Sequence, residues 1–331
     1  MVYISKQSAK DFLKKAFFNL RFFISILIFV SVYSWLFGPK ETLMGVAVNI
    51  AFTMFDNIDL GFDSREASVG IFLLFPFIGL MTYLSQFYII PAVFIHFIGV
   101  YLLMLLTTAP LAHKTYMPFI LCYIFAQSSP VQGKEFGIRM AGLAVGGLLD
   151  GIVYYLHHRK KTYKRTYRDL LREAFKNSTR SRFVLRMTLG ITAAATAGAL
   201  LHVAKPMWIS IVVMSLTQPF THDTHERIQH RLVATVVGCI IFSVLFNYLI
   251  PPVYSTLALM VLGYIYMFVK EYKIQQVFVT INALAAAMIL FDASTSIPMR
   301  ITLLVFGIAI VLILNWVDEH VIERVVKLAA H

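Results

Sequence analysis

The sequence predicts an all-α integral membrane protein with about twelve transmembrane helices. Of the 331 residues, 59% are hydrophobic and only 14% are charged, against about 25% charged in an ordinary soluble domain. The apolar residues form stretches near the length of about 20 residues that a helix needs to cross the hydrocarbon core. The basic residues, which give a net charge of +12, lie beside these stretches, as is typical of cytoplasmic loops.

Twelve apolar stretches are candidate membrane spans, six in each half of the chain. Those of the first half lie at about 16–37, 40–55, 66–84, 87–107, 115–130 and 135–156. Those of the second half lie at about 183–203, 206–219, 229–249, 253–270, 273–291 and 298–316. The two short stretches that begin near 40 and 206 open with Pro39 and Pro206, and the first turn of a helix tolerates proline.

A strongly basic segment, residues 157–182, separates the two halves and is too charged to enter lipid. We expect it in the cytoplasm, as a linker and topology signal or as a surface helix against anionic headgroups. The basic N-terminus lies on the same side, because six spans separate the two segments, so both termini are predicted to be cytoplasmic. The predicted domains are 1–156, the linker 157–182, and 183–331.

An internal repeat is indicated by arginines and prolines that follow in the same order. The landmarks are Arg21, Pro39, Arg65 and Arg139 in the first half, and Arg186, Pro206, Arg231 and Arg300 in the second. Their spacings are 18, 26 and 74 residues against 20, 25 and 69. The chain is therefore predicted to form two parallel six-helix repeats, related by a pseudo-two-fold axis along the membrane normal. Transporters built in this way bind substrate at the repeat interface.

The sequence lacks the motifs of several functional classes. Cys122 and Cys239 lie in apolar stretches without zinc-ligand spacing, and no phosphate-loop or hydrolase motif is present. The basic residues are not interleaved with a stacking platform for nucleic acid. We expect no enzyme activity, cofactor, metal or nucleic-acid partner.

One polar stretch, "PFTHDTHERIQHR" at 219–231, carries three histidines. Its counterpart in the first half, 55–66, has none. We therefore interpret 219–231 as a polar loop at a cytoplasmic mouth that ends at Arg231, where histidines can change the local charge with pH, rather than as a metal site.

Residues 205–238, "KPMWISIVVMSLTQPFTHDTHERIQHRLVATVVG", resemble the fusaric acid resistance and aromatic acid exporter superfamily. The residues that carry the resemblance are Trp208, Pro219, Arg231, Ala234, Thr235 and Gly238, with Ala234 in place of the usual glycine. The first half offers only Arg65 and Gly70 of this pattern. The resemblance implies export of aromatic carboxylic acids or related amphipathic anions, and it allows a homodimer. Related plant proteins are anion channels.

Candidate substrate-binding residues are the arginines near the ends of predicted spans. Arg65 and Arg231 are expected near the cytoplasmic face, and Arg139 and Arg300 near the outer face. Guanidinium groups can bind a carboxylate through two hydrogen bonds; the alternative is a snorkelling or loop-end charge. Trp208 offers an aromatic face to a ring-bearing substrate, or else anchors a span at the interface.

Asp150 and His96 are the candidates for proton coupling, because a titratable group at membrane depth must be paired, hydrated or shifted in its pKa. The alternative for each is a hydrogen-bonded packing residue, and neither has a counterpart in the other half.

The preferred function is that of a multi-pass cell-membrane transporter that exports organic anions in exchange for or together with protons. Its partners are a small organic anion and the lipid bilayer. Two alternatives stay open at this point. One is a passive anion channel, for which arginine rings suffice. The other is a non-transporting membrane scaffold whose basic linker binds lipid.

Overall fold

The computed structural model describes residues 6–109, 111–161, 163, 165–173, 178–288 and 293–322. All regular secondary structure in these ranges is helical, so the all-α prediction is confirmed for them. The helices are α1 (Lys6–Phe37), α2 (Thr42–Phe55), α3 (Ser64–Leu84), α4 (Ile89–Thr107), α5 (Met117–Ser128), α6 (Lys134–His158), α7 (Tyr167–Glu173), α8 (Thr179–Leu200), α9 (Met207–Leu216), α10 (Thr221–Val244), α11 (Ser255–Tyr266), α12 (Tyr272–Ala287) and α13 (Ala293–Val317).

Each of the twelve predicted stretches contains a helix, and α7 lies in the linker. Seven of the described helices are long and apolar enough to cross a membrane: α1, α3, α4, α6, α8, α10 and α13. The other five helices of the predicted stretches are only 10 to 16 residues long, less than the 20 or so that a perpendicular span needs. The apolar helices indicate a membrane protein, while twelve spans in two repeats stay a prediction.

One predicted loop is helical. The polar stretch that follows Pro219 was expected to be a loop, but α10 begins at Thr221 and includes its histidines. Hydropathy locates only the apolar part of a helix, and α10 extends about two turns beyond that part. His222 and Asp223 therefore lie in the first turn of a long helix, where an acidic side chain is favoured by the helix dipole.

The chain divides into two compact units. The smaller unit comprises Met1–Phe29 with Glu226–Leu304, and the larger comprises Val30–His225 with Val305–His331. Neither unit is one half of the sequence, because α8 and α9 of the second half pack on α4 and α5 of the first within the larger unit. The predicted domain boundaries concern sequence repetition and stay a prediction.

Glycines allow α3 and α6 of the larger unit to approach closely. A Cβ atom on Gly151 would lie 2.7 Å from the carbonyl oxygen of Ser68, and one on Gly147 would lie 2.8 Å from that of Phe72. The Ser68 hydroxyl donates a 2.7 Å hydrogen bond to the Gly151 carbonyl. Small residues four apart let helix backbones touch in this way, so the helix pair depends on them.

In the smaller unit, α10 and α12 approach at Gly238, where a Cβ atom would lie 2.8 Å from Cβ of Thr280. The described part of α1 contacts α11, since the Tyr264 hydroxyl donates a 2.9 Å hydrogen bond to the Ala16 carbonyl. Most of α1 is otherwise exposed and apolar, with side chains such as Phe18 and Trp35 uncovered. Such a surface fits lipid.

The linker binds to the acidic α2–α3 loop through Asp59. This half-buried carboxylate accepts hydrogen bonds from the Tyr154 and Tyr163 hydroxyls, both at 3.0 Å, and lies 3.0 Å from Nζ of Lys161. Burial raises the pKa of Asp59, but the hydrogen bonds from Gly61, Lys161 and the two tyrosines outweigh it and hold the pKa below the ordinary 3.8. Part of the linker charge is therefore neutralised within the protein.

A second contact fixes the linker to α3. The backbone N–H of Tyr167 donates a 3.0 Å hydrogen bond to the Glu66 carboxylate. The Tyr167 ring covers Gly70 so closely that a Cβ atom there would overlap its hydroxyl oxygen. Gly70 is thus required for the linker to lie on α3.

We expect Gly151→Ala to lower the free energy of unfolding by about 1–3 kcal/mol, because the added methyl group pushes α6 from the α3 backbone. The matched control is Gly137→Ala on the same helix, where no atom lies within 4 Å of the added Cβ. That change should be neutral or stabilise by about 0.5–1 kcal/mol. Denaturation of the detergent-purified protein measures both, and equal effects would contradict the packing described.

The free energy of unfolding should depend on pH through Asp59. Its pKa is lower in the folded protein than the ordinary 3.8, so ionised Asp59 stabilises the folded state fully above about pH 5, and this contribution is lost as the pH falls through the folded pKa. We expect Asp59→Asn to lower the unfolding temperature at pH 7 and to have a smaller effect near pH 3. Glu226→Gln, which removes an exposed carboxylate, is the control. A constant difference between wild type and Asp59→Asn at all pH values would refute the linkage.

Candidate functional site

Two arginines are buried together in the smaller unit. Arg231 of α10 is 1% exposed and Arg300 of α13 is 2% exposed. The Arg231 guanidinium group is close enough to Arg300 to act on its charge. Like charges at close range in a low-dielectric interior repel strongly, so an anion bound at Arg231 would be attracted by both residues.

Some hydrogen-bond donors of Arg231 are not used by the described residues. Its Nε and Nη2 atoms are buried and, among the described residues, have no hydrogen-bond partner. The described carboxylates of this unit, Asp11, Glu226 and Glu271, are all exposed. A buried cation without a partner costs several kcal/mol, and a bound carboxylate would remove that cost with charge-assisted hydrogen bonds.

The groups around Arg231 form a polar seam between α10 and α12. Thr235 lies one turn after Arg231 on α10, and Tyr272 and Gln276 are one turn apart on α12. The Tyr272 side chain is close enough to Arg231 to interact with its charge. The centroid of the Tyr272 ring lies 4.5 Å from Cζ of Arg227. The Thr235 hydroxyl, the Tyr272 hydroxyl and the Gln276 amide oxygen are also buried without hydrogen bonds to the described residues. The seam therefore offers donors and acceptors beside the cation.

The helix motif predicted from sequence occupies this seam. Ala234 and Thr235 are each 1% exposed, and Gly238 packs tightly against α12. Arg231, Thr235 and Gly238 are spaced four and three residues apart, so they lie on one helix face. The motif thus places next to a tight helix contact a guanidinium group of which two nitrogen atoms have no hydrogen bond to the described residues.

Residues 192–314 match the family model described as fusaric acid resistance protein-like. This match confirms the resemblance inferred from residues 205–238, and its range contains Arg231, Arg300 and Trp208. No curated protein and no solved structure matches the chain.

Outside the fusaric acid resistance protein-like region, Arg139 of α6 is fully engaged. Its Nε lies 2.9 Å and 3.0 Å from the two Glu41 oxygens, and its Nη1 donates to the carbonyls of Ala126 and Ser129. Arg139 and Glu41 are each only 2% exposed. An anion would have to displace Glu41 to reach this guanidinium group.

Sequence reasoning did not find Glu41, although it is the only acidic residue between Asp11 and Asp56. A single carboxylate in a long apolar region is a signal for a buried ion pair.

A second closed network surrounds Arg186 of α8. Its Nε lies 3.2 Å from the Asp318 carboxylate, and its Nη2 donates to the carbonyls of Gln218 and Pro219 at 2.9 Å and 2.8 Å. Arg182 shares Asp318 through a 2.9 Å hydrogen bond. The repeat pattern in the sequence includes Arg186 but assigns it no role in a site. Its contacts connect α8 to Asp318 and to the segment after α9.

The remaining candidates, Arg65 and Trp208, belong to the larger unit. Arg65 is exposed in the first turn of α3, where its backbone N–H donates to the Asp63 side chain. Trp208 of α9 is 2% exposed and belongs to the larger unit, whereas Arg231 and Arg300 belong to the smaller. The four predicted arginines are therefore not equivalent: two form a buried pair, one is ion-paired and one faces solvent.

The two candidates for proton coupling are both buried in the larger unit. Asp150 of α6 is fully buried, and neither carboxyl oxygen has a hydrogen bond among the described residues. His96 of α4 is 3% exposed, and its Nδ1 lies 2.7 Å from the Tyr123 hydroxyl. Asp150 is thus the more isolated of the two.

The histidine stretch at the start of α10 is exposed at His222, whose Nδ1 lies 3.0 Å from the Asp223 carboxylate. In the part of the chain that the structure describes, no group of three His, Cys, Asp or Glu side chains is placed to hold a metal ion.

We expect Glu41→Gln to lower the free energy of unfolding by about 3–5 kcal/mol, because it leaves the buried Arg139 charge without its counter-ion. Glu135→Gln is the matched control: Glu135 pairs with Lys40 at 2.7 Å, but the two side chains are 48% and 61% exposed, and such a pair contributes less than about 1 kcal/mol. Chemical denaturation in detergent distinguishes the two variants. A Glu41→Gln protein as stable as Glu135→Gln would show that Arg139 does not need this carboxylate.

Proposed function

We propose that this chain is a membrane transporter that exports aromatic carboxylates or related amphipathic organic anions. The observation that carries the proposal is the buried Arg231 guanidinium group, with two nitrogen atoms that lack hydrogen bonds to the described residues. The fusaric acid resistance protein-like match to 192–314 supports a transport role. Transport makes and breaks no covalent bond, so no catalytic residue is required.

In this proposal the substrate carboxylate binds to Arg231 through two parallel hydrogen bonds, with Arg300 adding a second positive charge. Guanidinium groups suit a carboxylate because their donors form a planar fork. Tyr272, which is close enough to Arg231 to interact with its charge, offers a ring and a hydroxyl group to an aromatic anion. Arg139 already pairs with Glu41, so we assign it a structural role, and we assign the exposed Arg65 the role of a loop-end charge. Trp208 of the larger unit serves entry or anchoring.

Proton coupling is the second part of the proposal. Asp150 is our preferred proton carrier because an ionised carboxyl group without hydrogen bonds in an apolar interior is very costly, and binding and release of a proton there would favour different helix arrangements. His96 is the second candidate, with Tyr123 as its hydrogen-bond partner.

We further propose that the twelve helices of the predicted stretches form two parallel six-helix repeats in the cell membrane. The linker and both termini would then be cytoplasmic, because basic segments remain on that side. The short helices would cross the membrane partly, shielded by the long ones. A homodimer is compatible with the exposed apolar surface of α1.

The test is uptake of radiolabelled benzoate by proteoliposomes with an imposed pH gradient. We expect Arg231→Gln to reduce uptake about 10- to 100-fold, the effect of losing one charge-assisted, two-bond contact. The same variant should not unfold more easily, because it removes a buried charge that has no carboxylate partner among the described residues. Arg65→Gln, at the exposed counterpart position, should change uptake less than twofold.

Different results would select different functions. Accumulation against a gradient that stops when the pH gradient is collapsed supports a proton-coupled transporter. Anion current without such coupling would favour a channel. Absence of any flux, together with lipid binding that depends on the linker charges, would favour the scaffold. Flux that is equal in wild type and Arg231→Gln would overturn the site assignment in every case.

A further inference from the structure

The larger unit contains a cavity of about 200 Å³, and the described residues that line it all belong to that unit. It lies where α3, α5 and α8 end and α4 begins, with His96 of α4 and Thr196 of α8 in its walls. The linker contacts the opposite end of α3, at Glu66. The cavity therefore opens at the end of the unit away from the linker.

The walls of the cavity carry unused hydrogen-bonding groups. The Thr196 hydroxyl is buried and has no hydrogen bond to the described residues. His96 is fixed by the contact of its Nδ1 with Tyr123, which leaves Nε2 as the ring nitrogen available to a ligand. Gln86 donates through Nε2 to the Val131 carbonyl, so its amide oxygen is left as an acceptor. A ligand that both donates and accepts hydrogen bonds would match this set.

Charge restricts the ligand further. Among the described residues that line the cavity there is no Asp, Glu, Lys or Arg. An ionised ligand would lose its hydration without meeting an opposite charge, which is strongly unfavourable. The cavity is thus suited to an uncharged molecule, in contrast to the guanidinium pair of the smaller unit.

Size and wall composition indicate a single aromatic ring. Ligand pockets for drug-sized molecules measure about 300–1,000 Å³, and this cavity is smaller. Phe87 and Tyr88 line it together with Pro130, and such side chains favour flat apolar rings. The hydrogen-bonding groups would then contact one polar substituent on that ring.

We propose that this cavity binds a small uncharged aromatic molecule with a polar substituent that donates and accepts hydrogen bonds. An aromatic amide has this chemistry. None of its described lining residues contributes to the Arg231 seam, so the site does not depend on the proposed substrate site; it shares only His96 with the proposed proton coupling.

The probe is benzamide, titrated into the detergent-purified full-length protein and followed by ligand-observed NMR, with empty micelles as the reference. We expect saturable binding of benzamide to wild type. In Arg231→Gln, which lacks the proposed carboxylate site, binding of benzoate at pH 7.5 should be at least about tenfold weaker than that of benzamide, because benzoate is ionised. Thr196→Val keeps the side-chain shape and should weaken benzamide binding about three- to tenfold through the loss of one hydrogen bond.

Two exposed alanines on α8 provide a matched pair. Ala199 lines the cavity, whereas Ala193 does not. Ala199→Leu should abolish benzamide binding, and Ala193→Leu should leave it unchanged. Absence of saturable binding to wild type, or equal binding to both leucine variants, would overturn the proposal.

A variant in the other unit separates this proposal from the transport function. Arg231→Gln should bind benzamide as wild type does while its benzoate uptake falls. Normal benzoate uptake by that variant would defeat the transport assignment and leave the cavity assignment intact. Loss of benzamide binding in Arg231→Gln would instead show that the cavity is not an independent site.

Discussion

An arginine buried in an apolar interior must be given partners, and much of the larger unit follows from this constraint. Arg139 and Arg186 have similar surroundings, since each pairs with one buried carboxylate. Each also donates to a carbonyl group just beyond the end of a short helix, α5 for Arg139 and α9 for Arg186. The last carbonyls of a helix have no partner within it and carry its negative dipole. Arg139 satisfies one of those carbonyls, that of Ala126, and both arginines bind carbonyls just after a helix end, so two short helices can end inside the protein.

Arg231 departs from this arrangement, since its described surroundings contain hydroxyl and amide groups but no buried carboxylate. The difference between Arg139 and Arg231 separates a guanidinium group that holds helices together from one that we propose binds a ligand. The same distinction could not be drawn from charge or membrane depth alone, because both residues are equally inaccessible. What decides it is whether an acidic side chain reaches the group.

Hydropathy was sufficient to place a helix in every predicted stretch, and the motif spacing was sufficient to bring Arg231, Thr235 and Gly238 onto one face. The ion pairs were not predictable in this way, because Glu41 and Arg139 are 98 positions apart and their contact depends on how α2 and α6 pack. The polar start of α10 was missed for another reason: a helix N-terminus accepts polar side chains, so its first turns lack the apolar signal. The division into units was likewise hidden, because it joins segments from both halves.

The two glycines that resemble each other between the halves receive different neighbours. Gly238 accommodates Thr280 from another helix, whereas Gly70 accommodates the Tyr167 ring from the segment that connects the halves. If the predicted repeat arose by duplication, its halves began as equivalent copies, and a connecting segment exists only once per chain. The connecting segment fills the space beside Gly70 with the Tyr167 ring, so a chain with the order of the halves exchanged would lose a contact that neither half can supply alone.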